Sequence, residues 1–347
     1  MEDVEYCCPR CKAALTSATY AYTCTACNAH YPIILGIPDF RVFPDPYIDI
    51  VEDRRKAERI FERAAVSDFS ALVEYYWSIT PDTPPEIARR FTAQAVGAVE
   101  RGRHLLDAHS VVKTKLQEPH ACVLDLGTRT GGLLMAAAER GQMSIGIDIA
   151  FRWLIIARKR LEEARLKAQL ICCCAEFLPF RAETFSLVVA ENLLEHTAQP
   201  QLCIEEAHRV LKPNGVFFAT TWNRLALAPE PHVRLWGVGW LPREMGRRYV
   251  KLRKGLSYDH VRLLSIFELR RLLRSIPFQN YTIELPNFSA PELKNVSPAQ
   301  RRAIKVYEWL KPWPLLRGIL LIFAPVFYLI CFRRPPMTSS VLPEIGR

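Results

Sequence analysis

The sequence predicts an α/β fold: a doubly wound, mostly parallel sheet with a small cysteine-built ribbon in front and a hydrophobic helical segment behind. Three observations predict it. Between residues 121 and 222, short apolar runs alternate with amphipathic stretches across short links, the pattern of parallel strands covered by helices. Near the N-terminus four cysteines stand in two C-x2-C pairs, and residues 318–332 form a run of fifteen without a charge. With 347 residues, half of them hydrophobic, the chain has material for two or three domains and a large core. No short repeat is present, which argues against a solenoid or propeller.

The first element, residues 1–43, is read as a metal ribbon. Cys8-Pro-Arg-Cys11 and Cys24-Thr-Ala-Cys27 are separated by twelve residues. Two residues between thiolates let one tight turn present both sulfurs to a single ion, and two such knuckles complete a tetrahedral S4 shell that suits zinc. Thr16 to Tyr22 reads as a hairpin strand, with Cys7 and His30 beside the set. The run Tyr31-Pro-Ile-Ile-Leu-Gly-Ile-Pro38 follows. Residues 6–42 thus resemble the small zinc-ribbon partner of tRNA methyltransferases. That resemblance implies a closed, structural zinc.

Residues 44–110 are read as a helical linker, opened by Pro44-Asp-Pro46. Ala57, Ile60, Phe61 and Ala64 recur at helical spacing. Pro85 suits the first turn of a helix running to about Ala108. Tyr75-Tyr-Trp77 reads as packing against the neighbouring domain. The main domain is read as 111–295. Its strands are Ala121 to Gly127, Ser144 to Asp148, Gln169 to Cys173, Phe185 to Ala190 and Gly215 to Thr221. Helices lie at Leu133 to Arg140, up to Lys167, and Gln199 to Leu211. In such a sheet a ligand lies beyond the carboxyl ends of the strands. Cys172 to Cys174 read as small core residues.

Five motifs fall in order along this stretch. They are Val123-Leu-Asp125-Leu-Gly127 with Gly131, Asp148 ending the second strand, Ala175-Glu176-Phe-Leu-Pro-Phe180, Glu191-Asn-Leu-Leu-Glu-His196, and Arg209-Val-Leu-Lys-Pro-Asn-Gly215. Residues 121–222 thereby resemble the class I S-adenosylmethionine-dependent methyltransferases, a Rossmann-like family, and within it the "type 11" group. The resemblance implies S-adenosyl-L-methionine as cofactor. Asp125, Gly127 and Gly131 would meet its methionine end, Asp148 its ribose, and Ala175 and Glu176 its adenine, with Glu191 after the fourth strand. Three positions depart from the family. Arg129 replaces the middle glycine and is placed to reach the cofactor carboxylate. Cys174 replaces an acid near the adenine amine, a loss of about 1–3 kcal/mol of hydrogen bonding. Ser186 replaces the usual fourth-strand acid.

Residues 222–262 are read as a substrate cap, too rich in proline and aromatics over 229–243 for a regular helix. Glu230 and His232 are its clustered acid and base, with His196 as a further candidate. A histidine can take the proton from a hydroxyl as methyl arrives, although positioning alone supplies much of the acceleration. Glu195 reads as a helix N-terminal acid. Ser265-Ile-Phe-Glu268 is a capping box, and Phe278 to Leu285 a late strand.

The net charge of +10 is uneven. Residues 1–50 carry three basic side chains against six acidic, residues 243–274 ten against three, and residues 301–347 eight against two. Anionic partners should therefore meet the C-terminal third. Residues 296–347 are read as a helical membrane-associating segment. Fifteen helical residues span about 22 Å, short of the roughly 30 Å hydrocarbon core. Lys311 and Arg317 precede the run, and Arg333 and Arg334 follow it. An in-plane anchor is therefore favoured over a crossing. The acidic N-terminus lacks an apolar signal stretch, and the eleven cysteines do not form a disulfide pattern. The expected protein is a cytoplasmic methyltransferase on the inner membrane face, O-methylating a membrane-associated lipid, quinone or lipid-linked glycan. RNA methylation is the second reading, because ribosomal-RNA guanine methyltransferases also join a zinc ribbon to this fold. A cofactor-binding scaffold is the third.

Overall fold

The computed structural model describes residues 4–81, 83–287 and 298–335. Its N-terminal part is a four-stranded antiparallel sheet: β1 (Leu15–Ala18), β2 (Ala21–Cys24), β3 (His30–Ile34) and β4 (Ile37–Pro38). The chain leaving β4 does not swing free. Asp39 bridges Cys172 in parallel register, the Phe40 N–H donates to the Cys172 carbonyl at 2.7 Å, and the Phe40 ring is fully buried among Tyr6, Tyr22 and Tyr31. Lys12 pairs with Glu206 on the far side at 2.5 Å.

The segment read as a linker forms four helices, α1 (Ile50–Ala64), α2 (Phe69–Ser78), α3 (Pro85–Val96) and α4 (Ala98–Ala108), and a fifth, α5 (Ser110–Gln117), opens the segment read as the main domain. The single helix expected from Pro85 to Ala108 is broken at Gly97, which closes α3 and opens α4. The break lets small residues meet. A Cβ on Gly132 would lie 2.4 Å from the Ala98 Cβ, and one on Gly102 2.9 Å from the Leu133 backbone. Tyr76, Trp77 and Trp153 stack together, so the aromatic cluster is packing, as expected.

The main sheet has seven strands: β5 (Cys122–Leu126), β6 (Met143–Asp148), β7 (Gln169–Cys172), β8 (Phe185–Glu191), β9 (Leu211–Trp222), β10 (Asn280–Glu284) and β11 (Val326–Phe332). Their order is β10-β11-β9-β8-β5-β6-β7. The five strands from β5 to β9 are mutually parallel, and β11 runs antiparallel to both its neighbours. Between them lie α6 (Gly132–Ala138), α7 (Phe151–Glu163) and α8 (Pro200–Val210), then α9 (Arg243–Lys254) and α10 (Ile266–Arg274). Strand β5 is buried along its whole length, which explains its unbroken apolar run.

The C-terminal segment corrects the sequence reading. It holds α11 (Pro298–Leu310) and α12 (Pro314–Phe323), but residues 326–332 are a sheet strand and not helix. Pro325 forces Ala324 out of helical geometry (φ −58°, ψ 147°). Asn223 Nδ2 then pins the turn by donating to the carbonyls of Ile322 and Ala324. Phe327, Leu329 and Cys331 are fully buried on one face, and on the other Ile330 is buried while Val326, Tyr328 and Phe332 are half-buried. The run is therefore apolar because one sheet face is covered there and the other largely so. No helix among the described residues is long and apolar enough to cross a membrane. Residues 288–297 and 336–347, which belong to that expected segment and the end of the main domain, lie outside the described residues.

Candidate active site

The carboxyl ends of β5, β6, β8 and β9 deliver Asp125, Asp148, Glu191 and Thr221 to one edge of the sheet. The loop after β5 is built for a close approach. Gly127 and Gly131 hold φ of +73° and +74°, a region that favours glycine. A Cβ on Gly127 would stand 2.9 Å from Leu193 Cδ1, and one on Gly131 3.0 Å from the Ala157 Cβ. Arg129 also turns left-handed (φ +49°), at a cost of roughly 1–2 kcal/mol. Its N–H donates to Asp148 Oδ2 at 2.8 Å, and its side chain is exposed. The residue standing where the family has glycine thus keeps the turn.

Asp125 and Asp148 are both buried. Burial, with the charges of Glu191 and Asp148 adding, pushes the Asp125 carboxyl up to about 7. Burial pushes Asp148 up to about 6, against the hydrogen bonds it accepts from the N–H groups of Ala150 and Arg129. Asp125 Oδ2 has no protein partner. A buried carboxylate oxygen without a donor fits a site whose missing donor is a ligand cation. The cradle thus fits a ligand that brings a cationic group to Asp125, as the resemblance implies for S-adenosyl-L-methionine. Ala175 is buried at the expected adenine loop. Glu176 is otherwise engaged, since its Oε1 accepts from the N–H groups of Ala198 and Gln199 at the start of α8.

A second group of side chains meets this crevice. His196 follows β8 and His232 lies in the cap, 36 residues later, yet their Nε2 atoms are 3.2 Å apart. Behind His232, the buried Glu230 holds the ring and its loop. Its Oε1 lies 2.5 Å from His232 Nδ1, and its Oε2 accepts from the N–H groups of His232 and Val233. The carboxylate accepts the Nδ1 proton, which leaves the lone pair of His232 on Nε2. Burial lowers His196 to about 3, the charges of His232 and Arg129 adding to it, so His196 is neutral at physiological pH. Glu195, read from sequence as a helix acid, lies in the 3-10 turn Leu194–His196 and is fully buried. Its Oε2 accepts from Thr221 Oγ1 at 2.9 Å, and its Oε1 is without a protein partner. The ligand atoms of Glu195, His196 and His232 lie within 4.8 Å of one another, so they could hold a divalent cation. Sequence reasoning found Glu230 and His232 but not Glu195, whose only signal is its place beside His196.

The cap has a small core of Val233, Val238 and Val250. It contains a helix, α9, that sequence reading did not anticipate. Beside Glu230, a cleft is lined by Trp222, Ala226, Pro229, Trp240 and Pro325. Trp240 stacks flat on Phe323 of α12 at 5.7 Å.

In the ribbon, the four cysteines Cys8, Cys11, Cys24 and Cys27 converge, their sulfurs within 4.8 Å of one another. Lys12 and Asn28, each following the second cysteine of a knuckle, are both left-handed. The N–H groups of Ala26 and Cys27 donate to Cys24 Sγ. None of the chain's eleven cysteines is in a disulfide. Four convergent free thiols with amide donors on one sulfur fit a tetrahedral zinc.

Comparison with known proteins adds three findings. A family model described as a methyltransferase domain matches residues 124–219. The chain is similar to the ubiquinone biosynthesis O-methyltransferase of Idiomarina loihiensis, 27% identical over 63% of this chain and 80% of the relative. It is also similar to the protein of that name from Azorhizobium caulinodans, 30% identical over 55% of this chain and 75% of the relative. Among solved structures, phosphoethanolamine N-methyltransferase 2 of Haemonchus contortus with bound S-adenosyl-L-methionine aligns at 16% identity. Its TM-score is 0.46, over 68% of this chain and 52% of the other.

Proposed function

The chain belongs to the S-adenosylmethionine-dependent methyltransferases, and on that premise we propose that it O-methylates a phenolic ring of the quinone or lipid type. The acceptor is supported by the names of the two relatives. The observation that carries the chemistry is the Glu230–His232 pair at 2.5 Å, with His196 opposite.

When bound, the cofactor supplies a methyl group on a sulfonium. Asp125 and Asp148 would hold its amino group and ribose, with Ala175 against the adenine and Glu191 near the methionine end. The acceptor hydroxyl replaces His196 as donor to His232 Nε2. His232 Nε2 would take the hydroxyl proton as the acceptor oxygen is methylated, and Glu230 would stabilise the resulting imidazolium. Such a base contributes typically 10²- to 10⁴-fold.

A second reading rests on the same geometry. Two imidazoles on one tetrahedral cation, with N–metal bonds of about 2.0–2.1 Å, bring their nitrogens about 3.3 Å apart, close to the distance found here. Glu195, His196 and His232 would then hold a divalent ion that lowers the acceptor's pKa in place of a base.

Zinc in the four-cysteine ribbon is part of the proposal, as a structural ion. So is docking on an anionic membrane surface, for which the exposed Trp309, Trp313 and Leu315 and the basic balance of residues 301–347 speak. The free thiols suit a cytoplasmic, reducing location. RNA is the less favoured acceptor.

The test is transfer of labelled methyl from S-adenosyl-L-methionine to a short-chain prenylated catechol, with bulk RNA in parallel. A methyl ether on the catechol is expected, and label in RNA alone would overturn the acceptor assignment. Activity lost on chelation and restored by zinc or manganese, with the zinc content of the ribbon unchanged, would select the cation reading.

A further inference from the structure

Between the ribbon and α1, residues 39–47 follow a path that a tether would not need. Asp39, Arg41, Asp45, Asp53 and Arg152 are all buried. Arg41 donates through Nε and Nη2 to both oxygens of Asp39, at 2.9 and 2.7 Å, and through Nη1 to Asp53 Oδ2 at 2.6 Å. Asp53 Oδ1 takes Arg152 Nη1 at 2.7 Å, and Asp45 Oδ2 lies 2.9 Å from the same nitrogen. Five charges thus link the ribbon's exit, α1 and the first turn of α7. Burying them is costly unless every partner stays in place.

This network borders the cofactor cradle. Arg41 Nη1 donates to the carbonyl of Ile149 at 3.2 Å, the residue after Asp148. Asp53 Oδ2 accepts the Phe151 N–H at 2.9 Å. The two contacts bracket the turn whose Ala150 N–H holds Asp148 Oδ1. Further along, the Phe43 carbonyl accepts from Cys174 Sγ, and its ring meets Phe177 edge-on, both in the loop expected at the adenine. Tyr47 then reaches across to His260 of the cap. The segment therefore passes the ribose acid, the adenine loop and the cap in turn.

We propose that residues 39–47 form the outer wall of the cofactor site, with Arg41 as a positioning residue for the Asp148 turn, so that cofactor binding depends on the metal-loaded ribbon. Its metal clause rests on the assignment of zinc to Cys8, Cys11, Cys24 and Cys27. Loss of the ion unties the ribbon, Phe40 loses its packing on Tyr6, Tyr22 and Tyr31, and the turn carrying Asp148 loses its outer support. Oxidation of the thiolates would act in the same way, since zinc needs them deprotonated and reduced.

The experiment uses the full chain. Zinc content is measured first; protein purified without zinc would remove the assignment itself. Zinc is then released with a strong chelator that leaves the other seven cysteines unmodified, release is confirmed by metal analysis, and S-adenosylhomocysteine affinity is measured by calorimetry before release, after it, and after zinc return. A tenfold or greater rise in Kd on release, reversed on return, with a cooperative melt kept throughout, is the expected result. Unchanged affinity without zinc overturns the proposal. Loss of the cooperative melt also overturns it, because the ribbon would then hold the whole fold and not the pocket. Arg41→Lys, which keeps the charge but not the fork, should raise Kd at least threefold with zinc content unchanged; native affinity in that variant would remove Arg41 from the wall.

Discussion

Asp125 sets how cofactor binding should respond to pH. Its carboxyl, raised to about 7 by burial, holds a proton in the free site below that value, and a ligand ammonium requires the carboxylate. Binding therefore expels a proton under acid conditions. S-adenosyl-L-methionine should bind more tightly as pH rises from 6 to 8, approaching tenfold per unit at the acid end and levelling above 7. Calorimetry at three pH values checks this, and Asp125→Asn should bind weakly with no such slope. His196 has the opposite character. Its folded pKa, about 3, lies below the ordinary value of 6.5, so the unfolded chain takes up a proton that the folded one refuses. Stability should fall as pH drops from about 6.5 towards 3, and His196→Asn should lessen that loss in urea melts at pH 7 and pH 5. The turn at Gly127 and Gly131 and the strand-end positions of Asp125 and Asp148 were legible in sequence through the family resemblance, which also implies their roles. Glu195 and Arg41 were not, because their meaning comes from partners distant in sequence: Thr221 for one, Ile149 for the other.

Among the elements, the capping box at Ser265 and Glu268 was readable from two residues and forms as expected, with Ser265 Oγ accepting from the Glu268 N–H. Ser265→Ala should cost about 1 kcal/mol, seen as a lower urea midpoint at unchanged slope. Strand β11 was misread for a physical reason. A strand covered on one face and largely on the other shows no alternation, so its apolar run resembles a hydrophobic helix, and only Pro325 signalled the change. Deleting residues 313–334 would expose the edges of β9 and β10. The deletion should therefore abolish the cooperative melt and not merely detach the protein from vesicles. A soluble deletion product with native stability would contradict the sheet assignment. Helix α9 escaped prediction because only Gly246 and Val250 of its twelve residues are buried, too few for an apolar stripe.

Over the whole molecule, the doubly wound sheet and the ribbon were each visible as local patterns, while their union was not. The chain between them reads as a proline-marked boundary, yet it packs as a strap across the strand ends. Cradle, strap and cap then converge on one end of the sheet. The central claim is that the crevice there performs methyl transfer with His232, oriented by Glu230, as base. The most direct test is single-turnover methyl transfer by His232→Ala at saturating cofactor and prenylated catechol. The account predicts a rate lower by about 10²- to 10⁴-fold with cofactor Kd unchanged. A rate within twofold of the parent protein would contradict it.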